Sequence, residues 1–216
     1  MKKAVSSLFL MCLASIAIAK EPENLGLTKK NLMKYHDSGA YMNDIANVVQ
    51  KALRYLELRV KRADFNGKPA IVLDIDETSL SNYRDLVILD FGGTADDVQR
   101  YEDQGTDVAI APTLKLYRFA KEHHVAVFFI TGRFEEERAI TEDNLKKAGF
   151  INFDKLILRD GKYRTAPAAI YKTAARMELE GQGYDILLNV GDQKSDLQGG
   201  YSDEVFKLPN PYYLIP

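Results

Sequence analysis

The chain has 216 residues, with 29 Lys+Arg against 31 Asp+Glu and a formal net charge of −2 at pH 7. A composition that is 46% hydrophobic and 28% charged excludes wholesale disorder and a fibrous repeat. The single cysteine, Cys12, cannot build a disulfide scaffold or a cysteine-based zinc site, and the charge balance argues against a nucleic-acid polymer as partner.

Met1-Lys2-Lys3 is followed by an uncharged run from Ala4 to Ala19 that ends Ala17-Ile18-Ala19. A basic start, an apolar centre and small residues before a cut are the parts of a secretory signal peptide, so residues 1–19 are expected to be removed and residues 20–216 to form the working domain. The run is shorter than the ~20 apolar residues of a membrane span and is diluted by Ser6, Ser7 and Ser15, so no stable membrane anchor is expected. Met11 stands where lipidation of Cys12 would want a small residue. The cleaved chain would lose Lys2, Lys3 and Cys12, leaving 27 basic against 31 acidic residues, a charge of −4 without cysteine. It would be exported, to a periplasm or further outside.

From Asn31 to Arg62 the apolar residues Ile45, Val48, Val49, Ala52, Leu53 and Leu56 recur at three- and four-residue spacing, which predicts an N-terminal helical arm over 31–62, divided at Gly39. The turn cluster Asn66-Gly67-Lys68-Pro69 leads into Ala70-Ile71-Val72-Leu73, a short apolar run of the buried parallel-strand type. Similar runs follow at 125–130, 156–158 and 186–190, and 205–208 is a candidate fifth strand. Helical stretches lie between them, at Thr113 to His124, Phe134 to Ala148 (with Gly149 as C-cap) and Ala166 to Glu180. This alternation predicts an α/β fold, a doubly wound parallel sheet with helices on both faces. The acidic segment 79–111 has no clear period and reads as a small cap insertion over the sheet.

In such sheets ligands bind at the carboxyl ends of the strands. The first run ends Asp74-Ile75-Asp76-Glu77-Thr78, which brings two carboxylates close together. Keeping both ionised calls for a cation, most simply Mg²⁺ with its oxygen ligands, although an Asp-x-Asp after a strand also serves as a turn or helix cap. The second run ends Thr131-Gly132-Arg133, where a hydroxyl and a free backbone N–H can hold an anion or cap a helix. The fourth ends Gly191-Asp192-Gln193-Lys194-Ser195-Asp196. Asp192 can reach a metal shared with Asp74, with Asp196 supporting it from outside. Lys172, near the start of a helix, can supply a fixed positive charge or simply be solvated.

In this order and placement, Asp74-Ile75-Asp76-Glu77-Thr78, Thr131-Gly132-Arg133, Lys172 and Gly191-Asp192 with Asp196 resemble the four motifs of the haloacid dehalogenase superfamily of aspartate-nucleophile phosphotransferases. Phe128-Phe129-Ile130-Thr131-Gly132-Arg133, Asn189-Val190-Gly191-Asp192-Gln193 and Lys207-Leu208-Pro209-Asn210-Pro211 narrow the resemblance to its secreted acid phosphatase branch. That branch includes class B and class C acid phosphatases and plant vegetative storage proteins, and the likeness runs from about Asn31 onward. It implies a haloacid dehalogenase-like fold and a Mg²⁺-dependent acid phosphatase acting on small-molecule phosphomonoesters. Asp74 is then the nucleophile and Asp76 the general acid and base. Thr131, Gly132 and Lys172 hold the phosphoryl oxygens, and Asp74, the Asp76 carbonyl and Asp192 hold the metal, with Asp196 outside them. Some storage-protein relatives lack the nucleophilic aspartate, which this chain keeps. Lys194 stands where relatives often carry an aromatic residue, which bears on substrate range or local packing.

Two other readings compete. A phosphorylation-switch receiver would carry its acceptor on a later strand and would not be exported. An exported storage or binding protein with a weak or vestigial site remains the alternative. His36, His123 and His124 could invite a histidine-based phosphatase, but His123 and His124 fall at a helix end, where a charged ring suits the dipole. Tyr83, Phe91 and Tyr101 could stack an aromatic leaving group or serve packing. The substrate is not legible, and self-association into a homo-oligomer is compatible with the sequence.

Overall fold

The computed structural model describes residues 21–215, so the expected signal peptide, residues 1–19, lies outside the described residues. In chain order the elements are α1 (Leu25–Asp37), α2 (Ala40–Arg62), β1 (Lys68–Leu73), β2 (Leu80–Ser81), α3 (Tyr83–Ile88), α4 (Ala95–Glu102), β3 (Val108–Ala109) and α5 (Ala111–Glu122). They continue with β4 (Ala126–Phe134), α6 (Arg138–Lys147), β5 (Lys155–Arg159), α7 (Ala168–Gly181), β6 (Tyr184–Gly191), α8 (Lys194–Leu197) and β7 (Glu204–Lys207).

Five strands form one parallel sheet in the order β5-β4-β1-β6-β7. Side chains alternate along each strand and feed two separate apolar layers. Ile71 and Leu73 of β1, with Val127 and Phe129 of β4, join the layer that contains Tyr41, Ile45 and Leu56 of α2 and Leu116 of α5. Ala70, Val72, Phe128 and Ile130 join the other, against Tyr171, Ala175 and Leu179 of α7. Helices therefore cover both faces, as the alternation predicts. A register shift between Ala70 and Ile71 places Leu187 as an extra residue in β6, and Leu187 and Leu188 both enter the first layer.

The arm begins at Leu25, earlier than the periodicity indicates, and breaks where Gly39 takes a φ of 81°. The segment 79–111 has more order than its composition shows. β2 and β3 form a short antiparallel ribbon, Leu80 opposite Ala109, and α3 and α4 are carried between them. Thr94 caps α4 by accepting from the Asp97 N–H, while Asp97 accepts from the Thr94 N–H. β4 is longer than its apolar run: it continues through Thr131, Gly132 and Arg133 to Phe134, which pairs with Arg159. The following helix consequently starts at Arg138, not at Phe134.

Candidate active site

β1, β4 and β6 lie side by side at the centre of the sheet, and their carboxyl ends open on a cavity of about 570 Å³. Asp74, Asp76, Gly132, Lys172, Asp192 and Asp196 line it from the core, and Phe91, Tyr101 and Glu102 line it from the insertion. The sequence-predicted residues thus converge, with one exception. Thr131 is fully buried behind the wall; its hydroxyl accepts from the Arg133 N–H at 3.1 Å and donates to Asp76 Oδ2 at 3.5 Å.

Asp74, Asp192 and Asp196 each offer a carboxylate oxygen within 4.8 Å of the others. The fold forces this approach. A Cβ at Gly191 would collide with the Asp196 side chain, so glycine lets the loop after β6 turn back. Asp196 Oδ2 then accepts from the Gln193 N–H at 2.8 Å. Asp192 is fixed by Thr78 Oγ1 at 3.1 Å, Gln193 Nε2 at 2.7 Å and Asn210 Nδ2 at 2.6 Å. Lys172 donates to Asp74 Oδ1 at 2.5 Å and to Asp196 Oδ1 at 2.6 Å. Burial pushes the Asp74 carboxyl well above the ordinary carboxylate range; Lys172 opposes this, but Asp196, Asp192 and Asp76 add to it. Burial likewise raises Asp192, helped by Asp196 and opposed by its hydrogen bonds from Asn210 and Gln193. One lysine is thus too little positive charge for three buried carboxylates, and this donor set of hard oxygens fits a divalent cation.

The Asp76 side chain stands apart from that cluster. Arg133 Nη2 donates to its Oδ1 at 2.7 Å, Arg133 Nε reaches both oxygens at 3.2 Å, and Asn82 Nδ2 donates to Oδ1 at 2.9 Å. Burial raises Asp76, but the charge and hydrogen bonds of Arg133, with Asn82, outweigh it and hold the group below its ordinary value. Arg133 also reaches Asp107 at 3.3 Å, and burial still pushes Asp107 up to about 7. Arg133 is visible in the motif, but its role depends on strand β4 running on beyond Thr131, which the apolar run does not show. Asn82 and Asp107 come from the insertion ends, where no periodicity points to them.

Glu102 of α4 lines the cavity beside Glu137. Glu137 Oε2 accepts from the Phe134 N–H at 2.6 Å, while Glu137 Oε1 is buried without a hydrogen-bond partner. Burial, with the charge of Asp76, pushes Glu102 up to about 9. Of the aromatics in the insertion, Phe91 and Tyr101 face the cavity, whereas Tyr83 stacks on His36 with ring centroids 3.3 Å apart. His123 packs on Phe119, and none of the three histidines lines the cavity. Lys194 is exposed.

The family model described as HAD superfamily, subfamily IIIB (Acid phosphatase), matches residues 3–216. The chain belongs to this family. It is a phosphomonoesterase acting on small-molecule phosphate esters. Among relatives, the Stem 28 kDa glycoprotein of Glycine max is 37% identical over 188 residues, 84% of this chain and 72% of the relative. Acid phosphatase 1 of Solanum lycopersicum is 37% identical over 186 residues, again 84% and 72%. Vegetative storage protein 1 of Arabidopsis thaliana is 29% identical over 184 residues, 83% and 67%. The class C acid phosphatase from Bacillus anthracis superposes with a TM-score of 0.73 at 22% identity, covering 87% of this chain and 86% of that one, and so shares the fold.

Proposed function

We propose that this member of the acid phosphatase family is an exported, Mg²⁺-dependent enzyme that hydrolyses phosphomonoesters through an aspartyl-phosphate formed on Asp74. The observation that carries the reading is the buried Asp74 carboxylate at the end of the central strand, set against Lys172 and two further carboxylates. In the first step an Asp74 oxygen attacks phosphorus, the bond from phosphorus to the leaving oxygen breaks, and Asp76, in its protonated form, gives that oxygen its proton. In the second, Asp76 takes a proton from water, which attacks the same phosphorus; Asp74 departs as a carboxylate and inorganic phosphate is released. The Gly132 N–H and Lys172 stabilise the transferring oxygens. A Cβ built on Gly132 meets nothing within 4 Å, so the backbone there borders open space. Thr131, behind the wall, fixes Asp76 and the Arg133 backbone.

Asp74, the Asp76 carbonyl and Asp192 are the groups that would hold Mg²⁺, with Asp196 behind them. The ion would supply charge neutralisation between the carboxylate nucleophile and an anionic substrate. Export rests on residues 1–19 and is in keeping with a relative that is by name a glycoprotein. Among the described residues no helix is long and apolar enough to cross a membrane.

Acid-quenching the protein during turnover of a ³²P-labelled aryl phosphate tests the reading. Label released by hydroxylamine and mapped to the Asp74 peptide supports it. Turnover without labelled protein excludes the covalent route, and absence of turnover favours a storage or binding role. An N-terminus at Lys20 on protein recovered outside the cytoplasm would establish export.

A further inference from the structure

The N-terminal arm reaches the chemistry through a buried hydrogen bond from Tyr41. Tyr41, on the first turn of α2 and fully buried, donates its hydroxyl proton to Glu77 Oε2 at 2.6 Å. Glu77 is also fully buried, next in sequence to Asp76, and its backbone has a φ of 52°, the left-handed region that a glutamate occupies only when its surroundings hold it there. The other Glu77 oxygen, Oε1, accepts from the Asn82 N–H at 2.6 Å. Asn82 in turn donates from Nδ2 to Asp76 Oδ1 at 2.9 Å. Within the same turn the Ile75 carbonyl accepts from the Thr78, Ser79 and Leu80 N–H groups, so Asp76 and Glu77 ride on one tightly closed loop.

We infer that Tyr41 is a positioning residue for Asp76, acting through Glu77 and Asn82, and that the helical arm therefore completes the active site. This rests on the acid–base role proposed for Asp76. Arg133 grips Asp76 from one side and Asn82 from the other, and Asn82 is placed by the carboxylate that Tyr41 holds. The Tyr41 ring also meets Tyr212 edge-on at 5.2 Å, and Tyr212 lines the cavity. The hydroxyl is therefore separable from the ring: Tyr41→Phe keeps the packing and removes only the first link.

Leaving-group dependence separates this role from simple support of the fold. An unactivated alcohol needs its oxygen protonated as the bond breaks, whereas p-nitrophenol does not. Tyr41→Phe should therefore lower kcat for ethyl phosphate by about 10-fold or more while kcat for p-nitrophenyl phosphate falls by less than about 3-fold, with both KM values near wild type. Glu77→Gln, whose amide can donate to the Tyr41 oxygen, should stay close to wild type in the ratio of the two rates. Asn82→Ala should reproduce the Tyr41→Phe pattern and serves if Tyr41→Phe does not fold. Equal loss on both substrates, or no loss, overturns the inference. Asp76→Asn is measured in parallel: if it too fails to distinguish the substrates, the proposed role of Asp76 is wrong, and if it alone distinguishes them, only the Tyr41 link is wrong.

Discussion

Lys172→Met removes a cation from a site where Asp74, Asp192 and Asp196 remain buried together. The lysine side chain is 5% exposed, and it lies 2.5 Å from Asp74 and 2.6 Å from Asp196. Breaking a buried pair by removing one partner costs about 3–5 kcal/mol, because the remaining charge has neither water nor a counter-ion. At ~2–4 °C per kcal/mol for a domain of this size, the metal-free variant should melt about 6–20 °C below wild type at pH 7. The pH dependence has a fixed sign. Burial raises Asp74 in the folded protein above its ordinary 3.8, so its contribution to stability is full below that value and is lost as pH rises through the higher folded value. Without Lys172 the folded value moves higher still, so the gap to wild type should narrow as the pH is lowered. Mg²⁺ should also raise the melting temperature of the variant more than that of wild type, since it replaces missing charge. Thermal melts at several pH values, with and without Mg²⁺, measure all three effects. A melting temperature within about 2 °C of wild type at pH 7, or a gap that widens on acidification, would refute the charge balance described for the site.

Arg133→Met should lower kcat/KM for an alkyl phosphate by about 10- to 100-fold through misplacement of Asp76, and should move the alkaline limb of the pH profile upward, because burial then acts on Asp76 against only Asn82 and Lys172; steady-state rates across pH check both. Glu102, pushed up to about 9 from 4.5 mainly by burial, contributes stability that is full below 4.5 and lost once the pH has risen through about 9. Glu102→Gln should flatten that part of the stability–pH curve, as urea titrations from pH 5 to pH 10 would show. Chelation by EDTA should abolish hydrolysis, with recovery on adding Mg²⁺ and a lowered melting temperature in the metal-free protein.

The sheet was legible because its strands are buried on both faces and so read as short apolar runs such as Ala70–Leu73. The acidic residues of the site were legible for a related reason: polar residues directly after such runs mark the ligand-binding edge, and Asp74, Asp192 and Asp196 meet there. Lys172, an ordinary helix lysine by sequence, became informative only through its order relative to those motifs. The insertion was obscure because α3 has six residues and α4 is largely polar, too little for a period to emerge. The Thr94 and Asp97 capping pair emerges only in the structure. Arg133, Asn82 and Tyr41 act across 57, 6 and 36 positions of sequence, and nothing local marks which carboxylate each one meets. The buried hydroxyl of Thr131 shows the converse: the motif locates the residue, but the length of β4 decides which way its side chain turns.

Phosphate release from p-nitrophenyl phosphate by wild type and by Asp74→Asn, each with Mg²⁺ between pH 4 and pH 8, tests the central claim most directly. Wild type is expected to turn over with its highest rate on the acid side, and Asp74→Asn is expected to be inactive while retaining the fold. Wild-type rates preserved in Asp74→Asn, or no hydrolysis by the metal-loaded wild type anywhere in that range, would contradict it.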